Sequence, residues 1–90
     1  MEQNHNVTTQ LENLTSLSTN ENATVAWAAQ QALIVAESRK NGDISAEEGA
    51  DILADLRQQA NIAIAADDVE NKVLVDSLLS TTSAILTFMV

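Results

Sequence analysis

The sequence predicts an all-α protein, because it lacks the turn residues that sheet proteins need and is rich in helix formers. Its 90 residues include no Pro, and both glycines, Gly42 and Gly49, lie near the middle. Sheets require many turns built from Gly, Pro and Asn, whereas Ala, Leu, Gln and Glu favour helices. The expected architecture is an antiparallel αα-hairpin or small helical bundle, completed by oligomerisation.

A chain of this length is expected to form one domain at most, here residues 1–90. Its apolar residues are mainly Ala, Leu, Val and Ile, and its aromatic residues are only Trp27 and Phe88. A core of such small residues is thin, so self-association would help to stabilise it. Residues 1–6 are polar and are predicted to be frayed.

A short first helix is predicted from Val7 onwards. Leu11 and Leu14 follow Val7 at helical spacing, and Leu17 continues the stripe. The many Thr and Asn residues of this segment have poor helix propensity. The helix therefore needs packing against another element to persist.

A second helix is predicted to begin between Ser18 and Asn22 and to run to about Asn41. Its start has two candidate caps, because Ser18 and Glu21 form a capping box while Asn22 is a rival N-cap. Residues 23–36 are apolar nearly all round, which is typical of a helix packed between two neighbours.

The second helix is expected to end at a corner centred on Gly42. Arg39 and Lys40 complement the negative end of the helix dipole, and Gly42 can adopt the left-handed conformation that terminates helices. Ser45 then begins a new capping box with Glu48. These signals predict an αα-hairpin corner.

A third helix is predicted from Ala46 to about Ala66, with a fourth after it. Asp67 and Glu70 can cap the fourth helix, but no Gly or Pro forces a break before them. One long bent helix is therefore an open alternative. The chain ends in an uncharged stretch, residues 84–90.

The net charge of −9 opposes binding to nucleic acid or anionic membranes and favours basic partners. Like charges are stacked on one side of the third helix, at a small cost in helix stability. We interpret the acidic groups as a solvated face, with a docking face for a basic protein surface as the next alternative and a divalent-metal site after it. The acidic docking face comprises Glu47, Glu48, Asp51, Asp55, Asp67, Asp68 and Glu70.

Catalytic and metal-binding chemistry are not expected, and neither is a cofactor. His5 is the only histidine and lies in the polar N-terminus, and the chain has no Cys or Tyr. Histidine-based catalysis would depend on this single residue, which is expected to be frayed, and thiolate metal sites have no residue to form them.

The string from Asn41 to Glu48 resembles the second half of an EF-hand calcium loop, with Gly42 at the bend and Glu48 as the last ligand. The first half departs from that pattern, because Glu37 and Arg39 occupy ligand positions. A glycine cap followed by a capping box produces the same letters for purely structural reasons. A degenerate calcium sensor is therefore the third of three functional hypotheses.

The leading hypothesis is a non-enzymatic structural or assembly protein that forms homo-oligomers or part of a larger assembly, for example a phage-type virion, scaffolding or accessory protein. The alternative is an acidic adaptor or inhibitor, such as a DNA mimic, that docks on a basic surface. The predicted interface comprises Trp27, Leu33, Ile34, Ile85, Leu86, Phe88 and Met89.

The expected location is the cytoplasm, or a virion assembled there. The N-terminus has no basic region followed by an apolar region, and the chain has no Cys for disulfides. A membrane tail anchor from Val73 onwards is disfavoured by Asp76 and by the Ser and Thr residues of this segment.

Overall fold

The protein is all-helical over residues 2–89, which the computed structural model describes, with side chains described from Val7 onwards. Its four helices are joined by connections of five residues. They are α1 (Glu2–Leu17), α2 (Ala23–Lys40), α3 (Ala46–Ala63) and α4 (Val69–Ile85), and a 3₁₀ turn (Leu86–Phe88) follows α4. The predicted fold class is thus confirmed at the level of helical secondary structure.

Helix α2 lies between neighbours, as its two apolar faces predict. Helices α2 and α4 pack against each other, and both also pack against α1 and α3. The buried side of α2 consists mostly of alanine, which lets neighbouring backbones approach closely. Its buried residues are Val25, Ala28, Ala29, Ala32, Val35 and Ala36.

The start of α2 decides between the two caps that the sequence offers. The side chain of Asn22 accepts hydrogen bonds from the backbone N–H groups of Thr24 and Val25, at 3.0 and 3.1 Å. These bonds satisfy donors that the first helical turn leaves without partners. Asn22 is therefore the N-cap, and the rival capping box of Ser18 does not form.

The α2–α3 corner, residues 41–45, contains the left-handed glycine and leads into the capping box that its sequence predicts. Gly42 adopts a φ of +80°, which is costly for residues with a Cβ. Ser45 caps α3, and the capping box with Glu48 is complete in both directions. The Nε of Arg39 also donates to the carbonyl of Leu86 at 3.0 Å, which ties the corner to the end of the chain.

The α3–α4 corner, residues 64–68, separates two helices, so the alternative of one long bent helix is wrong. Helix α3 ends at Ala63, three residues before the predicted end, because Ile64 leaves the helix and buries its side chain in the core. Asp68, and not the predicted Asp67, caps α4. Its side chain accepts a hydrogen bond from the N–H of Asn71.

The α3–α4 corner is also held by bonds between the two helices. The Nζ of Lys72 donates to the carbonyl of Asn61 at 2.9 Å, near the end of α3. One turn further from the corner on each helix, Arg57 and Asp76 form an ion pair at 3.0 Å. Both links join α3 to α4 near their connection.

Helix α1 is longer than predicted, because its helical backbone begins at Glu2, within the residues expected to be frayed. Its buried side chains include Leu14 and the polar residue Gln10. The Nε2 of Gln10 donates to the Oγ1 of Thr82 at 3.1 Å and to the carbonyl of Leu78 at 3.3 Å, both on α4. Tertiary contacts therefore offset the weak helix propensity of α1.

The apolar core is continuous through all four helices. A Cβ at Gly49 would lie 2.6 Å from the Cδ1 of Leu86, so the glycine makes room for that fully buried side chain. The radius of gyration of 12.5 Å is close to the value of about 12 Å expected for a compact domain of this length. A single chain thus encloses its own core.

Candidate interaction surfaces

The first candidate surface is the α2–α3 face, which we define by Trp27, Ile34 and Ile52. Trp27 shares a surface depression with Gln59, and Val35 lies close to Gly49. Residues early in α2 thus lie near residues late in α3, and residues late in α2 lie near residues early in α3. Ile34 lies two turns after Trp27 on α2, and Ile52 lies two turns before Gln59 on α3, so both isoleucines are displaced from the depression towards the α2–α3 corner.

Much of this apolar face is accessible to solvent. Ile34 is 55% exposed and Ile52 is 41% exposed, whereas Trp27 is half-buried against the core. Trp27 and Ile34 are seven residues apart and therefore lie on the same side of α2, two turns from each other. The predicted interface residues Trp27 and Ile34 thus share one face, and α3 extends it with Ile52.

The other predicted interface residues lie elsewhere. Ile85, Leu86 and Met89 are buried within the chain and present no surface to a partner. Leu33 is half-buried and packs against the core, and Phe88 is exposed in the terminal 3₁₀ turn. The sequence could not separate these groups, because core and interface use the same apolar residue types.

The second candidate surface is the acidic outer side of α3. Glu47, Asp51 and Asp55 follow each other at four-residue spacing and are all exposed. Glu48 is also exposed, but its Oε1 accepts from the N–H of Ser45 at 2.9 Å as part of the capping box. Among residues 7–89, none of these four carboxylates forms an ion pair.

The remaining acidic residues of the predicted docking face lie at the α3–α4 corner. Asp67 and Glu70 are exposed. Asp68 is half-buried, and its carboxylate binds the N–H and the side-chain amide of Asn71. The structure therefore divides the predicted acidic face into a stripe on α3 and a group at this corner.

The third candidate surface was not predicted and lies at the same corner, which we call the apolar corner patch: Ile62, Val69 and Val73. These side chains are 87%, 62% and 60% exposed. Val69 and Val73 lie one turn apart on α4. Ile62 is on α3 and the two valines are on α4, at the corner where Lys72 of α4 bonds the carbonyl of Asn61 on α3.

A signal for the apolar corner patch is present in the sequence but is ambiguous. Val69 and Val73 continue the apolar spacing of α4, so the pattern gives no reason to exclude them from the core. Ile62 lies on the outer side of α3, with Asp51 and Asp55, and is out of phase with the buried stripe. That phase could have identified Ile62 as exposed, because the predicted third helix also includes it.

The described part of the chain also has depressions between its helices. One surface depression is lined by Ala50, Leu53, Ala54, Arg57, Leu79, Ser80 and Ser83. No group of three or more His, Asp or Glu side chains within the described residues is arranged to hold a metal ion. His5 lies outside the residues whose side chains are described.

The calcium-like string from Asn41 to Glu48 has a structural role. Gly42 forms the left-handed turn, and the carboxylate of Glu48 is engaged by the N–H of Ser45. Arg39 places its guanidinium at the corner, where its NH1 nitrogen donates to the carbonyl of Ile44 at 3.4 Å. A cation in this position would repel calcium.

Within residues 2–89, none of the helices combines the length and apolar character that a membrane span requires. The chain matches no protein-family model, no curated protein and no solved structure.

Proposed function

We propose that this chain is a non-enzymatic assembly protein that self-associates through the α2–α3 face. The observation that supports this proposal is the exposure of two large apolar side chains, Ile34 on α2 and Ile52 on α3, on the same sides of their helices as Trp27 and Gln59, which line one depression. Apolar surface that spans two neighbouring helices is typical of protein–protein contact sites. Aromatic residues such as Trp27 are enriched among the residues that dominate binding energy.

The surroundings of Trp27 favour a second copy of the chain as the partner. The depression beside Trp27 is lined only by neutral residues: Ala23, Thr24, Gln59 and Ala63. A chain of net charge −9 repels its own copies at most approaches. A neutral apolar site is where two copies meet with the least repulsion, so we place the centre of the contact there.

The proposal keeps the finer architecture that the sequence predicts. In it, α2 and α3 act as an αα-hairpin that presents one face to the partner, supported by the opposite directions in which their residues pair. A phage-type virion, scaffolding or accessory protein remains the example of such a role. The cytoplasm, or a virion assembled there, remains the proposed location.

Light scattering over a range of protein concentrations and salt tests self-association directly. We expect the mean mass to rise with concentration and to persist in high salt, because an apolar contact is not screened by ions. The double variant Ile34→Ser with Ile52→Ser should shift the onset to higher concentration. A matched control, Val69→Ser with Val73→Ser, changes two exposed apolar residues away from the α2–α3 face.

The two variants separate the possible outcomes. A concentration-independent monomer mass for the wild-type chain contradicts self-association. Equal weakening by both variants contradicts the choice of the α2–α3 face. Circular dichroism of each variant verifies that the helices persist.

The exposed carboxylates of α3 favour a second candidate function, an acidic adaptor or inhibitor. Glu47, Asp51 and Asp55 form no ion pair among the described residues, so they are available to a basic surface. The test is displacement of labelled duplex DNA from a panel of basic DNA-binding domains. Replacing these three carboxylates with amides should reduce the amount of DNA that the chain displaces from each domain on which the wild-type chain competes.

The control for this test neutralises three other exposed carboxylates, Glu12, Glu21 and Glu37, and so makes the same change in net charge. Equal loss in both triple variants would indicate a general charge effect and contradict a docking face on α3. If the wild-type chain displaces no DNA from any domain, the DNA-mimic form of this candidate fails.

A further inference from the structure

The apolar corner patch combines exposed aliphatic side chains with a rim of negative charge. Ile62, Val69 and Val73 are each more than half exposed. Asp67 and Glu70 lie beside them in the chain and are exposed as well. We propose that this corner docks a cationic apolar segment of a partner protein, one that carries Lys or Arg residues beside aliphatic residues.

The apolar part of the site is preorganised. The bond from Lys72 to the carbonyl of Asn61 fixes the start of α4 against the end of α3. Asp68 caps α4 and so sets the orientation of its first turn, which carries Val69. Ile64 is buried beneath the corner and connects it to the core. A partner therefore meets a surface that requires little ordering on binding.

The charges around the patch select among possible occupants. Asp67, Asp68 and Glu70 contribute three negative charges, whereas Lys72 contributes one positive charge whose Nζ already bonds a carbonyl. A second copy of this corner would bring carboxylates against carboxylates, and an anionic membrane would do the same with phosphates. A cationic segment alone gains from the apolar contact and from the rim together.

This inference rests on the proposed role in protein assembly but uses a different surface from self-association. The α2–α3 face is neutral around Trp27 and suits a second copy, whereas the corner is acidic and suits a partner of opposite charge. The two surfaces can therefore be tested separately, and either can fail alone.

The test measures fluorescence anisotropy of a labelled synthetic helix with Leu on one face and Lys on the other, titrated with the full chain. A second peptide carries Glu in place of Lys, and a third carries Lys with Ser in place of Leu. We expect the Leu–Lys peptide to bind at least about tenfold tighter than either of the others, because it alone matches both features of the site.

Variants of the chain locate the binding. Replacing Val69 and Val73 with Ser should weaken the Leu–Lys peptide about tenfold, since two partly buried aliphatic contacts are lost. Asp67→Asn with Glu70→Gln should weaken it several-fold at low salt. The matched charge control, Glu12→Gln with Glu21→Gln, should leave the affinity unchanged.

Four results would overturn the inference. They are equal binding of the Leu–Glu peptide, equal weakening by the charge control, no effect of the two valine substitutions, and a stronger effect of Ile34→Ser with Ile52→Ser than of the valine pair. Sedimentation with vesicles of anionic and of neutral lipid provides a further test. Binding of the chain to either vesicle that depends on Val69 and Val73 would identify a membrane as the occupant instead.

Discussion

The two corners that flank α3 have the same length but are held in different ways. At the α2–α3 corner, Gly42 and the Ser45–Glu48 capping box fix the backbone through local interactions. At the α3–α4 corner, no Gly occurs, and the chain turns where Ile64 enters the core. The conformation of a connection can therefore be determined either by its own residues or by an apolar contact with residues that are distant in sequence.

The difference extends to the surfaces of the two corners. Arg39 links the α2–α3 corner to the chain end by donating to the carbonyl of Leu86. The α3–α4 corner instead leaves Ile62 and Val69 largely exposed. Because a buried side chain anchors the α3–α4 corner, its outward-facing side chains are free to contact a partner.

The largest predicted effect is at the buried anchor of the α3–α4 corner. Ile64→Ala should lower the free energy of unfolding by about 2 to 4 kcal/mol, because it leaves a cavity where the side chain was buried. The exposed neighbour Ile62 is the matched control. Ile62→Ala should change the free energy of unfolding by no more than about 0.5 kcal/mol. Urea denaturation measures both, and equal effects would show that Ile64 is not the anchor.

The next effect tests the locally determined corner. Gly42→Ala should cost about 1 to 2 kcal/mol of unfolding free energy, because alanine is strained at positive φ. No other atom lies within 4 Å of a Cβ built at Gly42, so the cost comes from backbone strain and not from a clash. An unchanged denaturation midpoint would contradict the left-handed conformation of Gly42.

A smaller effect distinguishes two adjacent acids at the α3–α4 corner. Asp68→Ala should cost about 1 kcal/mol of unfolding free energy, because Asp68 caps α4, whereas Asp67→Ala should change it by at most about 0.5 kcal/mol. The reverse order, measured by urea denaturation, would favour the cap at Asp67 that the sequence alone suggests.

The smallest expected effect is that of calcium on the α2–α3 corner. Binding to the folded state alone would raise the thermal midpoint as the ligand concentration increases. We expect no such rise up to millimolar calcium, since Glu48 is engaged in the capping box and Arg39 lies at the corner. A midpoint that increases steadily with calcium, but not with magnesium, would restore the calcium-sensor hypothesis.

The sequence predicted the features that depend on neighbours in the chain. The ends of α2, the turn at Gly42 and the cap at Ser45 all follow from residues within a few positions of each other. The end of α3 does not, because Ile64 leaves the helix in response to the core and not to a local breaker.

The candidate surfaces were predicted only in part, for the same reason. Trp27 and Ile34 fall on one side of α2 by helical spacing alone. Ile85, Leu86 and Met89 have the same apolar character, yet the remainder of the chain covers them. These two groups differ only in how helices that are distant in sequence pack over them. The spacing of apolar residues in the sequence does not reveal that packing.

The buried amide of Gln10 fixes the register of α1 against α4. Sliding α1 by one turn along α4 would move the amide away from Thr82 and the carbonyl of Leu78, at the cost of desolvated and unbonded polar groups. A redesign that replaced Gln10 and Thr82 with aliphatic residues would keep the burial but remove this discrimination between alternative alignments. Such a variant would melt at a similar temperature yet hold its first helix in several positions.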